Sequence, residues 1–153
     1  MSYVTELRAL VGTRPLILPG TSLIITDADG AVLLMRRADD GHWGLPGGIM
    51  ELGETFEATG RREGREETGL EIGELHLLGV FSGPALYHRY PHGDEVFNVT
   101  VAYLASASGE LRADPAEVSE LRFFPVTALP GDLVPSEVPI LESYLASLER
   151  GLR

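Results

Sequence analysis

The chain has 153 residues and no cysteine, enough for one domain with its own core and free of disulfides, thiolate catalysis and cysteine-ligated zinc. Hydrophobic residues make up 44%, an ordinary globular share, and neither an apolar signal core nor a run near the ~20 residues of a membrane helix occurs, so a cytoplasmic domain without a membrane partner is expected. A formal net charge of −11 argues against a nucleic-acid partner, yet it leaves small phosphorylated substrates open if the site supplies local positive charge, for which a divalent metal is the obvious source.

Residues 2–11 read as a short helix with a partial apolar stripe (Val4, Leu7, Ala9, Leu10, Val11), and Gly12 follows as its stop. That stripe suits packing on the domain or on a second subunit, which makes a homodimer compatible with the sequence. Arg14 to Pro19 reads as extended, and Thr21 to Thr26 as a strand. Asp27 to Gly30 is a turn with the strongest hairpin cue in the chain, and Ala31 to Arg37 is the return strand. Alternation sends Arg36 and Arg37 to opposite faces, so that one of them can reach a substrate phosphate; a solvated strand end is the other reading for each. Trp43, the sole tryptophan, is expected to pack rather than stack on a base. Leu45 to Gly48 must turn sharply.

Gly48 to Leu70 carries six glutamates and three arginines in 23 residues. Thr55 suits an N-cap, and Gly69 suits a C-terminal stop. On the helix between them, residues three and four apart share a face, so Glu63, Glu66 and Glu67 are neighbours with Arg62 beside them. Three carboxylates in one turn repel each other unless positive charge lies among them, and such oxygen-rich clusters suit Mg²⁺ or Mn²⁺. A solvated acidic face balanced by Arg61, Arg62 and Arg65 is the competing reading. Gly60 and Gly64 cost the helix about 0.8–1 kcal/mol each relative to alanine. Being four apart they line one face, which would let the helix approach a sheet closely.

Glu71 to Ser82 contains a strand with His76 at a packed or surface position. Gly83 to Glu95 is a hairpin turn or a substrate loop. It gathers Tyr87, His88, Arg89, Tyr90 and His92, with aromatic rings able to stack on a base and cations able to meet phosphate. The clearest strand is Val96 to Ala105; Glu117 to Phe124 runs from loop into strand; Val126 to Leu129 reads as a short turn of helix. Ser136 to Leu148 is a final amphipathic helix, with Ser136 as a capping candidate.

The spacing of the glutamate-rich stretch resembles the Nudix box, G-x5-E-x7-R-E-U-x-E-E-x-G-U with U a bulky apolar residue. Eight specified positions agree: Gly48, Glu54, Arg62, Glu63, Glu66, Glu67, Gly69 and Leu70. Gly64 departs, standing at the first U. Weaker likeness extends through His42 to Gly48 and through Leu121 to Phe124. The resemblance implies an α/β protein of the Nudix fold, an α/β/α sandwich with a mixed β-sheet, formed by residues 1–153 as a single domain with the box at 48–70. It implies divalent-metal-dependent hydrolysis of a phosphoanhydride in a nucleoside diphosphate linked to a group X, with ADP-ribose-like compounds favoured. Carried over by position, the Gly48 carbonyl, Glu63, Glu66 and Glu67 would hold Mg²⁺ or Mn²⁺. Arg62 would keep the glutamates in register, and Glu54 would support the loop. The general base would be Glu63 if the box supplies it and Glu117, with Glu120 behind it, if a later loop does. Arg36, Arg37, Tyr87 and Arg89 are the candidate substrate contacts. Pro84, 14 residues beyond Leu70, resembles ADP-ribose enzymes, and Tyr87, 17 beyond, resembles dinucleoside polyphosphate enzymes. Two alternatives stand beside the first: a nucleoside triphosphate pyrophosphohydrolase or dinucleoside polyphosphate hydrolase, and a non-catalytic nucleotide sensor on the same fold.

Overall fold

Strand alternation sorts the apolar residues into two layers, one on each side of the sheets. The computed structural model describes residues 2–151. Its helices are α1 (Tyr3–Val11), α2 (Phe56–Thr68) and α3 (Val138–Glu149). Its strands are β1 (Leu16–Ile25), β2 (Val32–Arg37), β3 (Trp43–Gly44), β4 (Gly47–Ile49), β5 (Glu71–Phe81), β6 (Tyr87–Arg89), β7 (Glu95–Ser108) and β8 (Val118–Phe124). One sheet has the order β4-β1-β7-β5, with β6 also paired to β7, and the other has the order β3-β2-β8. The first sheet is mixed: β1 runs parallel to β7 from Leu16↔Val96 to Ile25↔Ala105, and its other pairings are antiparallel.

Leu23, Ile25, Leu33, Val101, Tyr103 and Ala105 form one buried layer with Leu70, Ile72 and Phe56 of the α2 side. The alternate residues Ile24, Val32, Leu34 and Ala102 form the other, with Ile140, Leu141 and Tyr144 of α3. The architecture is therefore the expected α/β/α sandwich. Trp43 is buried in the α3 layer, edge-on to Phe124 at 4.9 Å, and so packs as expected. Among the described residues, no helix is long and apolar enough to cross a membrane.

The structure corrects several local expectations. Arg14 to Pro19 and Thr21 to Thr26 are not separate segments, because one strand, β1, runs through Pro19 and Gly20. The Asp-Gly turn forms, with Asp27 Oδ1 accepting the Asp29 and Ala31 N–H groups at 2.9 Å. No hairpin follows it beyond the bridge Thr26↔Val32. Both edges of β1 are taken by β4 and β7, so β2 pairs with β8 and β3 instead. Residues 126–128 form a turn rather than helix. Ser136 lies buried in a 3-10 turn, Pro135–Glu137; the cap position of α3 falls on Glu137, whose side chain makes no cap bond.

α2 is capped at both ends as its sequence requires. Thr55 Oγ1 accepts the Ala58 N–H at 3.0 Å, and Gly69, at φ 74°, takes the left-handed turn that glycine adopts without strain. The glycine face seats the helix on the sheet. A Cβ on Gly60 would lie 2.9 Å from Thr21 Cγ2, and one on Gly64 would lie 2.9 Å from both Leu23 Cδ1 and Ile72 Cγ1. Leu23 and Ile72 thus occupy the space that an apolar residue at position 64 would need.

Candidate active site

The site is assembled on Thr21, a buried residue of β1. Its hydroxyl donates to Phe56 O at 2.7 Å and so fixes the start of α2. Its backbone faces Gly48 in the β1–β4 register. A Cβ on Gly47 would meet Thr21 O at 2.0 Å, so only glycine allows this approach. The same loop is held from two further sides: Glu137 accepts the Leu45 N–H at 2.7 Å, and Glu67 accepts the Gly47 N–H at 2.8 Å. At Gly48 a Cβ would stand 2.5 Å from the Glu63 carboxyl carbon. Glycine here brings the backbone and a helix carboxylate into contact.

Arg62 ties the loop to the helix. Its Nε donates to Glu54 Oε2 at 2.7 Å, and its Nη2 donates to Glu54 Oε1 at 2.9 Å and to Ile49 O at 3.1 Å. Its Nη1 donates to Glu63 Oε1 at 2.7 Å and lies 3.5 Å from Glu66 Oε2. Glu54 also accepts from the Glu51 N–H and the Thr59 hydroxyl. The Arg62 hydrogen bonds hold the Glu54 carboxyl down at about 2. Arg62 and Glu54 are charged and multiply bonded, which fixes rotamers that would otherwise be mobile.

Beside this clamp lies a cavity of about 390 Å³, a size that suits a nucleotide-scale ligand. Its acidic part is formed by Glu63, Glu67, Glu117 and Glu137, together with the Gly48 backbone. Burial pushes Glu67 well above the usual carboxylate range, with Glu63, Glu117 and Glu137 adding repulsion and the Gly47 N–H opposing. Burial also raises Glu63, against the pull of Arg62 and with the help of Glu66 and Glu117. Burial lifts Glu137 to about 7. Another part of the cavity carries Arg37, Asp39, His88, Tyr90 and His92. Arg37 is paired with Asp39 and stands 5.3 Å over the Tyr90 ring. His88 meets Tyr90 edge-on at 4.6 Å, and Tyr90 stacks on His92 at 5.4 Å. Burial, with Arg37 adding, lowers His88, which favours the neutral imidazole.

Hard oxygen donors that repel one another fit a divalent cation. Among the described residues, no three acidic or histidine side chains are already gathered for a metal. Glu63 is turned to Arg62 and Glu67 to the Gly47 N–H.

Of the residues singled out in the sequence, Gly48, Glu63, Glu67, Glu117 and Arg37 line this cavity. Glu66 does not; its side chain is 56% exposed and faces a shallow cleft with Arg61, Arg62 and Arg65. Arg36 turns away, donating to Gly41 O at 3.1 Å. Tyr87 is also outside: its hydroxyl donates to Glu95 at 2.5 Å and its ring lies 5.2 Å from Phe97. Arg89 stands opposite Glu95 on the same strand pair, outside the lining. Glu120 is paired with Arg122. His88 on β6 and Tyr90 just after it line the cavity where the sequence pointed to Tyr87 and Arg89. Glu137 was passed over; the available cue was a lone carboxylate in the apolar run Leu133 to Leu141.

Many proteins share this geometry, and the class that they define is the Nudix hydrolases. The chain belongs to that family, whose NUDIX domain model matches residues 17–144. It is 38% identical over 109 residues to the ADP-ribose pyrophosphatase of Methanocaldococcus jannaschii, covering 69% of this chain and 61% of that protein. It is 47% identical over 58 residues to a MutT-like protein of Streptomyces ambofaciens, covering 38% of each. The chain thus spans less than two thirds of the length of these curated relatives. The crystal structure of a MutT Nudix hydrolase from Burkholderia pseudomallei superposes with a TM-score of 0.71 at 31% identity, over 84% of this chain and 98% of that one.

Proposed function

We propose that this domain hydrolyses a phosphoanhydride bond in a nucleoside diphosphate linked to X, with ADP-ribose-like compounds as the favoured class. The observation that carries this reading is the cavity itself, where Glu63, Glu67 and Glu117 converge in a chain of net charge −11. An anionic diphosphate is repelled from such a wall unless cations accompany it. Glu63, Glu66 and Glu67, with the Gly48 carbonyl, would hold Mg²⁺ or Mn²⁺, which when bound neutralises phosphate oxygens and acidifies water. Arg62 orients Glu63, and Glu54 holds Arg62 in place. Glu117 is the favoured general base. Its carboxylate lines the cavity and makes no hydrogen bond among the described residues, whereas Glu63 is engaged by Arg62. Glu117 takes the proton of the attacking water; the new P–O bond forms as the bridging P–O bond breaks, leaving a nucleoside monophosphate and phosphorylated X. His88, Tyr90 and His92 give the aromatic surface against which a nucleoside can rest.

The relative named an ADP-ribose pyrophosphatase favours this substrate class. The MutT-named relatives favour a second reading, pyrophosphohydrolysis of a nucleoside triphosphate. The deciding experiment is Mg²⁺-dependent turnover of ADP-ribose, nucleoside triphosphates, a diadenosine polyphosphate and a nucleotide sugar, with products identified. Monophosphate plus phosphorylated X supports the first reading, and pyrophosphate release supports the second. Binding without turnover at any Mg²⁺ concentration overturns both. Glu117→Gln should lower kcat by roughly 100-fold or more, as loss of a general base does; near wild-type kcat would move the base to Glu63.

A further inference from the structure

None of the nine residues of α1 is buried, and polar bonds tie the helix down at both ends. The Tyr3 N–H donates to Glu51 Oε1 at 2.8 Å, and the Glu51 N–H donates in turn to Glu54, the partner of Arg62. Toward the other end stands Arg8, outside both the box and the cavity lining. Its side chain is only 11% exposed. A guanidinium withdrawn from water needs compensating partners, and Arg8 finds them in two places.

The two arms of its fork divide. Nη1 donates to Gly12 O at 3.0 Å and to Arg14 O at 2.6 Å, which fastens the link from α1 into β1. Nη2 donates to Glu95 O at 2.6 Å, and Nε stands 3.5 Å from Asp94 Oδ2. Residues 90–94 make the turn between β6 and β7, closed by the Tyr90 N–H on Asp94 O and the Gly93 N–H on Tyr90 O, both at 2.9 Å. Asp94 Oδ2 also lies 3.5 Å from His92 Nδ1, and His92 stacks on Tyr90 with the two rings within 3° of parallel. A continuous path of contacts therefore runs from α1, through Asp94, to two rings that line the cavity.

We propose that Arg8 is a positioning residue for the nucleoside side of the cavity, holding residues 90–95 so that Tyr90 and His92 present their rings to substrate. This rests on the reading that those rings receive the nucleoside. Arg8 acts through Asp94 and the Glu95 carbonyl and does not reach substrate itself. Lysine is no substitute, because one ammonium lacks the planar fork that serves Glu95 O, Asp94 and the 12–14 link at once. Loosening of α1 alone is the competing account. Arg14 separates the two, since its Nε donates to Val11 O at 2.8 Å, at the same helix end.

Steady-state kinetics with Mg²⁺ over the same set of compounds, together with amide exchange measured without substrate, test this. Arg8→Ala should raise KM by up to about tenfold, the scale of the aromatic stack it positions, and leave kcat within about twofold. Asp94→Ala should do the same, and the double variant should add nothing further, because both act through one path. Arg8→Lys should keep the raised KM. Arg14→Ala should lower Tm and leave KM unchanged. Amides of residues 90–95 should exchange faster in Arg8→Ala and Asp94→Ala but not in Arg14→Ala. An unchanged KM in Arg8→Ala overturns the proposal, as does an equal rise in Arg14→Ala. If wild type turns over none of the compounds, the proposed hydrolysis fails separately. The exchange pattern then still decides whether Arg8 holds the turn, and equal exchange in all variants overturns it.

Discussion

Arg62 and Glu54 are joined at two points across eight residues, with Nε on Oε2 at 2.7 Å and Nη2 on Oε1 at 2.9 Å. This pair sets the orientation of the Arg62 arm that holds Glu63. Glu54→Gln should therefore lower kcat on the order of 10–100-fold, as the loss of an outer-shell partner does, with a smaller change in KM. It should also change acid stability. Folded Glu54 titrates at about 2, below its ordinary 4.5. Its contribution is therefore fully present above pH ~5 and lost as pH falls toward 2. Thermal melts across that window should show a shallower pH slope in Glu54→Gln than in wild type; equal slopes would detach Glu54 from the clamp.

Glu137 has the opposite sign. Burial raises its carboxyl from 4.5 to about 7, so the folded protein holds that proton more tightly than the unfolded chain. Stability from this group is greatest below pH ~4.5 and declines as pH rises through 7. Glu137→Gln keeps an oxygen for the Leu45 N–H and cannot ionise. With a chelator present, its Tm should gain on wild type between pH 5 and 7 and then level off. A constant difference across that range would mean that Glu137 does not titrate there.

Gly64 is the one departure from the box pattern, and the packing around it gives a direct test. A side chain there meets Leu23 and Ile72 at 2.9 Å. Gly64→Leu should destabilise by about 1–3 kcal/mol through overpacking, despite its better helix propensity. Leu23→Ala in the same chain should recover part of that loss, and chemical denaturation of the four variants of the cycle measures the coupling. Additive effects would mean that the two residues do not compete for space.

Tyr87, at the start of β6, and Tyr90, the residue after its end, make opposite predictions. Tyr90 lines the cavity, whereas Tyr87 is spent on Glu95 and Phe97. Tyr90→Ala should raise KM for the true substrate on the order of tenfold, the scale of one lost aromatic stack on a base. Tyr87→Ala should leave KM nearly unchanged. Steady-state kinetics of the pair decides which of the two rings meets substrate.

These contrasts show which parts of the molecule were legible in the sequence. The box helix, its Thr55 cap and its Gly69 stop follow from local chemistry, and the structure has each of them. The sandwich followed from the resemblance of the box rather than from the strands, and the structure puts Leu23 and Ile25 on one side of β1 and Ile24 on the other. The fate of the Asp27 to Gly30 turn was not legible, because it depends on β1 having both edges occupied by strands distant in sequence. The face of β6 was ambiguous for a related reason: Tyr87, His88, Arg89 and Tyr90 all carry plausible chemistry, and only the pairing with β7 fixes which two turn inward. Glu137 needed the longest reach, since its partner Leu45 lies 92 residues away.

Thr21 lies outside the box, yet it meets both the loop and the helix of the box. Its hydroxyl anchors the first turn of the helix, its carbonyl limits Gly47 to glycine, and its methyl group rests where Gly60 leaves room. The 23-residue motif is consequently not a portable cassette. Transplanted onto another strand, it would keep its glutamates and lose the gauge that spaces loop from helix. A small hydroxyl-bearing residue on the neighbouring strand is as much a condition of the box as any residue written in its pattern.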